Sequence, residues 1–345
     1  MKRSALIVGL SGAKITEDEV AFLKEIRPLG IILFKRNCEN WDQITKLIAD
    51  ARNAIGTEDA LILIDQEGGR VQRLVPPLGR KLPPAAAYGK IYKKGEQKWA
   101  CAAAYSVSRL LAHDLIKLGI NTNCAPVLDI PVLGSHDIIG DRAYGRTVDE
   151  VIQLGRSVAQ GFMAGGVLPV VKHIPGHGRA NKDSHLDLPV VHTPREELSK
   201  TDFAPFSALA HMPAAMTAHV VFNSIDPKAP ASTSKIIIQD IVRQEIGFDG
   251  LLMSDDLGMH ALTGTMRQRA EGVILAGCDI VLHCSGAMSE MKEAVLGTPE
   301  LSGRALERAN RALAVTKNKE DFNFTEAEEY LSQVLERYTI SSESV

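Results

Sequence analysis

The chain has 345 residues, 45% hydrophobic, 5% aromatic and 23% charged, a composition that supports a packed core and excludes disordered, coiled-coil and collagen-like architectures. Its 39 Lys and Arg against 42 Asp and Glu leave a formal charge of −3, so the sequence shows neither the basic excess of a nucleic-acid binder nor a strongly acidic face. No apolar run approaches the ~20 residues that cross a bilayer.

The chain opens on Met1-Lys2-Arg3 and a six-residue apolar run over residues 5–10. That run is shorter than the ~7–15 residues of a secretory segment and meets Lys14 and Glu17 without a cleavage site, so a cytoplasmic protein is expected. Short apolar runs then recur at residues 30–34, 60–65, 120–126, 168–173, 214–221, 250–254 and 279–283, which with the first makes eight candidate strands. Amphipathic stretches at residues 18–26, 42–54, 98–118, 149–164, 196–209, 234–245 and 266–276 alternate with them as helices. Because the strands are continuously apolar, they read as buried on both faces of a parallel sheet. Eight such units predict an α/β fold, a (β/α)8 TIM-type barrel over about residues 5–285, close to the usual ~250. A C-terminal helical extension over about residues 286–345 completes one catalytic domain spanning 1–345. An open doubly wound sheet has the same alternation; polar clusters at the strand carboxyl ends favour the barrel. The Pro-rich stretch at residues 76–90 is expected as a loop on the active face. Cys38, Cys101, Cys124, Cys278 and Cys284 are odd in number and lack Cys-x-x-Cys spacing, so they read as reduced, with Cys124 and Cys278 as core filler.

Four clusters at strand ends carry candidate chemistry. The third strand runs into Asp65-Gln66-Glu67-Gly68-Gly69-Arg70-Val71-Gln72-Arg73, where acids and arginines meet a glycine turn; an internal Asp–Arg pair shaping the loop is the plain alternative. The fourth leads to Asp129 and a long loop with Asp141-Arg142-Ala143-Tyr144-Gly145, whose arginine either reaches a ligand oxygen or is merely solvated. The fifth ends in Lys172-His173-Ile174-Pro175-Gly176-His177-Gly178, and polar groups on a buried strand are costly without partners or work. Next comes Asp183-Ser184-His185, a spacing that lets a carboxylate orient an imidazole for acid/base chemistry near neutral pH. His177 reads equally as a structural loop residue. The seventh strand ends in Met253-Ser254-Asp255-Asp256; strand alternation allows one acid to point to the axis while the other bonds neighbouring backbone.

Together these segments resemble glycoside hydrolase family 3, in particular its bacterial single-domain β-N-acetylglucosaminidases, over about residues 5–285. The resemblance implies Asp255 as nucleophile of a retaining reaction, His185 as acid/base and Asp183 as its dyad partner. It implies Asp65, Arg73, Arg142, Lys172 and His173 as sugar-binding residues. Departures from the family pattern are Ile174, Gly258, Tyr144 and the composition of residues 179–182. What the resemblance implies is an exo-acting β-N-acetylhexosaminidase that frees N-acetylglucosamine from muropeptides or chitooligosaccharides during peptidoglycan recycling, with no cofactor and no metal. A monomer without nucleic-acid or membrane partners is expected.

Three other readings use the same residues. A phosphorylase would yield a sugar 1-phosphate. A metal-dependent hydrolase would ligate through His173, His177, His185 and Asp183, and a chelator would abolish its activity. A sugar-binding protein would need no nucleophile.

Overall fold

The computed structural model describes residues 2–180 and 188–342. In chain order the first half runs β1 (Ser4–Gly9), α1 (Glu17–Ile26), β2 (Pro28–Leu33), α2 (Trp41–Ile55), β3 (Leu61–Ile64), α3 (Ala85–Lys93), α4 (Gln97–Leu118), β4 (Thr122–Asn123), α5 (Val148–Ala164) and β5 (Leu168–Ile174). It continues with β6 (Val190–Val191), α6 (Arg195–Lys200), α7 (Ala204–Ala208), β7 (Ala214–Thr217), β8 (Val221–Phe222), a π-helix (Ile237–Glu245) and β9 (Leu251–Asp256). The remainder is α8 (Met266–Ala276), β10 (Ile280–His283), α9 (Met288–Leu296), α10 (Gly303–Val315) and α11 (Phe324–Ser342). Eight of these strands close into a parallel barrel in the order β1-β2-β3-β4-β5-β7-β9-β10, while β6 and β8 pair separately. This is the (β/α)8 barrel, and closure removes the edges an open sheet would leave.

The apolar strands divide two cores. One set of side chains, including Ile7, Leu61, Val170, Met216, Leu251 and Leu282, fills the barrel, and Leu301, Ala309, Ala312 and Leu313 from and before α10 join it. The other set, including Leu6, Val8, Ile31, Ile62 and Val281, packs against the surrounding helices. Helix α10 therefore covers the amino-terminal mouth: Leu301 N–H bonds Arg3 O, and Arg308 spans Asp249 (2.7 Å) and Asp279 (2.9 Å) where β9 and β10 begin. Helix α11 lies along α4, with Trp99 and Tyr330 rings 5.5 Å apart. All five cysteines are free thiols, and Cys124 and Cys278 are buried.

Some boundaries differ from the sequence expectation. The stretch at 76–90 is not all loop, because three alanines after Pro84 start α3. The fourth strand shrinks to two residues. There the side-chain amides of Asn121 and Asn123 extend the short backbone ladder to β3 at both ends: Asn121 accepts from Ile62 N–H (2.7 Å), and Asn123 accepts from Gln66 N–H (3.0 Å) and donates to Gln66 O (2.9 Å). The expected strand at 214–221 stops at Thr217 and resumes as β8, paired with β6. The helix expected at 196–209 is two short helices, the second carrying Pro205 in its first turn.

Candidate active site

Strand carboxyl ends surround a cleft of about 420 Å³ at the mouth opposite α10. Asp65, Glu67, Arg70, Arg73, Arg142, Lys172, His173, His177, Asp255 and Asp256 all line it. The turn after β3 brings the first of these in. Gly68 has φ +108°, and a Cβ there would lie 2.3 Å from Pro83 O, so only glycine fits and the chain folds tightly back toward Arg73.

Lys172 is the hub of an ion network across three segments. Its ammonium donates to Asp65 Oδ1 (2.8 Å) and pairs with Glu67 Oε1 (2.7 Å), with the side chain only 3% exposed. Arg73 donates to Asp65 Oδ2 (2.9 Å), and Arg142 grips Glu67 through two bonds of 2.9 and 2.8 Å. Enclosure by itself would raise the Glu67 carboxyl, but Lys172 and then Arg142 outweigh it and hold the group at about 2. Asp65 is likewise driven well below the carboxylate range by Lys172 and Arg73 against the opposing effect of burial. Both acids are thus charged at neutral pH, and the cations they hold, Arg73, Arg142 and Lys172, line the cleft beside them. Arg70 pairs with Asp141 (2.9 Å) and caps the carbonyls of Asp137 and Ile138 (2.7 and 2.8 Å), tying the β3 loop to the cleft wall formed by Ile138 and Ile139. The internal pair named as the plain alternative is present as Asp65–Arg73, but Asp65 also reaches Lys172, Arg70 pairs outside the loop with Asp141, and Glu67 reaches across to Arg142 and Lys172.

At the end of β5 the pairing register shifts between Lys172 and Ile174, and both Lys172 and His173 line the cleft. Buried Asp129 organises this corner: its Oδ2 bonds His173 Nδ1 (2.7 Å), and its Oδ1 accepts from the N–H groups of His177 (2.7 Å) and His173 (3.3 Å). Burial and the neighbouring His173 push His177 down to about 4, so it is neutral at physiological pH. Gly178 passes so close to the segment after β4 that a Cβ would meet Ile130 O at 2.0 Å.

On β9 both acids line the cleft and both accept backbone N–H groups, but they differ in how firmly they are held. Asp256 is anchored, its Oδ1 accepting from Gly258 N–H (3.0 Å) and Cys284 N–H (2.9 Å). Asp255 accepts one bond at Oδ1, from Asp256 N–H (2.8 Å). Enclosure opposes its ionisation, but His219, His173, that N–H and Lys172 hold the carboxyl below its ordinary value, so it is a carboxylate.

The structure brings Asp65, Arg73, Arg142, Lys172, His173 and Asp255 together, while Asp183 and His185 lie outside the described residues. Among the described residues no group of three or more His, Cys, Asp or Glu is placed to hold a metal. Sequence reasoning missed Phe34 and Arg36 after β2, whose guanidinium stacks 4.8 Å over the Phe34 ring on the cleft rim. It also missed His219, a lone imidazole in the apolar run 214–221, a signal that was readable but masked by reading the strand straight through.

A parallel barrel with an ionised carboxylate and a fixed cation network at its carboxyl-end mouth has the layout of a sugar-processing hydrolase. Comparison with known proteins agrees: residues 4–313 match the family described as "Glycosyl hydrolase family 3 N terminal domain". A beta-hexosaminidase of Neisseria meningitidis serogroup B is 38% identical over 287 residues, 82% of this chain and 78% of its own. One from Psychromonas ingrahamii is 36% identical over 322 residues, covering 91% and 92%. The crystal structure of NagZ from Neisseria gonorrhoeae in complex with N-trifluoroacetyl-D-glucosamine superposes with a TM-score of 0.86 at 32% identity, over 97% of this chain and 98% of that one. The protein is a glycoside hydrolase. Its chain belongs to glycosyl hydrolase family 3.

Proposed function

We propose that the protein is a retaining exo-β-N-acetylglucosaminidase, a β-hexosaminidase that releases terminal N-acetylglucosamine from muropeptides in cytoplasmic peptidoglycan recycling. On this reading residues 1–345 act as one catalytic domain, as a monomer and without a cofactor. The observation that supports it most is the Asp255 carboxylate, held ionised in a cleft whose opposite wall presents the Asp65–Lys172–Glu67–Arg142 network. The relatives named beta-hexosaminidase and the N-acyl glucosamine bound by the gonococcal neighbour point to the same sugar class.

The chemistry has two displacements. An Asp255 oxygen bonds the anomeric carbon as the glycosidic bond breaks, and the departing oxygen takes a proton from His185, which Asp183 orients. Water then gives a proton back to His185 and attacks the same carbon, releasing Asp255, so the β configuration returns. Asp65, Arg73, Arg142, Lys172 and His173 bond the sugar hydroxyls and acetamide. Because they are already fixed by ion pairs or by Asp129, little ordering is left to do on binding.

Trapping with a 2-acetamido-2-deoxy-5-fluoro glycosyl fluoride and mapping the labelled peptide tests this reading. Label on Asp255, with no turnover of aryl N-acetyl-β-glucosaminides by Asp255→Ala, is the expected result; label on Asp256 or no label overturns it. Repeating turnover with added phosphate separates the two acceptors, since a sugar 1-phosphate product would mark phosphorolysis.

A further inference from the structure

His219 leaves the barrel two residues after β7 and is fully buried, as is Ser232 beside it. Its Nε2 lies 3.0 Å from the carbonyl oxygen of Asp256. A carbonyl only accepts, so Nε2 carries the proton. Its Nδ1 lies 2.6 Å from Ser232 Oγ and, in that tautomer, accepts the hydroxyl proton. Burial keeps the imidazole below its ordinary range and therefore neutral, with Asp255 and Asp256 facing it from β9 and His173 from β5. The two peptide units that flank the Asp256 Cα are thus both held, the first by its N–H donating to Asp255 Oδ1 and the second by its carbonyl on His219.

We propose that His219, itself held by Ser232, is a positioning residue for the nucleophile: by anchoring the Asp256 carbonyl it fixes the backbone of residue 256, so that the N–H on the other side of that Cα holds the attacking carboxylate of Asp255 in place. This rests on Asp255 being the nucleophile. Losing the bond at the carbonyl frees the backbone on both sides of the Asp256 Cα to shift, and the N–H then stabilises the Asp255 carboxylate less. Displacements approaching an ångström cost up to about 10²-fold in rate, and weaker bonding to the charged form raises a carboxyl pKa.

The test compares His219→Ala, His219→Gln and Ser232→Ala with wild type on an aryl N-acetyl-β-glucosaminide across pH, alongside melting temperatures. Expected is a kcat for His219→Ala lowered by about 10–10²-fold with KM little changed, and an acidic limb of kcat/KM moved to higher pH. Glutamine places an N–H donor where Nε2 stood and should recover much of kcat and of the limb. Ser232→Ala, which removes the bond that holds the ring at Nδ1, should move both in the direction of alanine. Should His219→Ala not fold, the glutamine and Ser232 variants decide. Unchanged kcat and limb in Ser232→Ala and His219→Ala, or loss of melting temperature without movement of the limb, overturns the inference. The fluoro-sugar label is mapped in wild type in parallel: label away from Asp255 sinks the nucleophile reading itself, while label on Asp255 with an unmoved limb sinks this inference alone.

Discussion

Lys172→Met removes one positive charge from between two carboxylates while keeping most of the buried stem, and the ion network sets what that costs. Glu67 is held at about 2 against an ordinary 4.5. At about 1.4 kcal/mol per pH unit this corresponds to about 3 kcal/mol of folded-state stabilisation, shared between Lys172 and Arg142. Arg142 keeps its two bonds to Glu67 in the variant, and Asp65 keeps Arg73, so neither acid is left alone. About half the stabilisation of each acid is lost, partly offset by no longer desolvating an ammonium, for a net destabilisation of about 2–4 kcal/mol. That is less than the ~5–15 kcal/mol of a typical native protein, so the variant stays folded. Both acids have depressed folded pKa values, so their stabilisation is present above the unfolded value and lost as pH falls through the folded one. The gap between wild type and variant should therefore be full at pH 7 and close as the pH falls from about 5 toward 2. Urea denaturation followed by circular dichroism at pH 7 and pH 3 measures it. Equal midpoints at pH 7, or a gap that widens in acid, would refute the reasoning.

Three further outcomes are expected. Asp256→Asn keeps an oxygen for the N–H groups of Gly258 and Cys284 and should cost less than about tenfold in kcat/KM, the scale of one weakened hydrogen bond; steady-state kinetics on an aryl substrate checks this. His185→Ala should slow a natural disaccharide by about 10²–10⁴-fold yet slow the first step on nitrophenyl substrates far less, and stopped-flow should then show a burst of nitrophenol as the intermediate accumulates. Arg308→Ala, at the far mouth of the barrel, should lower stability by about 1–3 kcal/mol without changing kcat, because Asp279 keeps Arg243 and Asp249 keeps Arg304 and Arg311; thermal melts and kinetics on one preparation decide it.

Much of this architecture was legible in the chain because local chemistry dictates it. Continuously apolar runs such as Leu61–Ile64 and residues 280–282 have no polar face to offer water, so they become strands covered on both sides. Charged groups cannot sit within such strands, which is why Asp65, Lys172 and Asp255 appear at or beyond their carboxyl ends, at the one mouth that becomes the cleft. Partnership was not legible. Glu67 meets Arg142 across 75 residues of chain, Asp65 meets Lys172 across 107, and His219 meets Asp256 across 37, separations that only barrel closure brings within hydrogen-bond reach. Periodicity likewise could not reveal that two asparagine side chains reinforce the short β4 ladder, or that the run at 214–221 breaks at Thr217 and carries His219 beside the Asp256 carbonyl. The sequence by itself determined which residues are buried and which chemistry gathers at the strand ends, since those follow from hydrophobicity and solvation residue by residue; the tertiary structure decided which charge pairs with which and which imidazole is neutral, since those depend on distances between segments far apart in the chain.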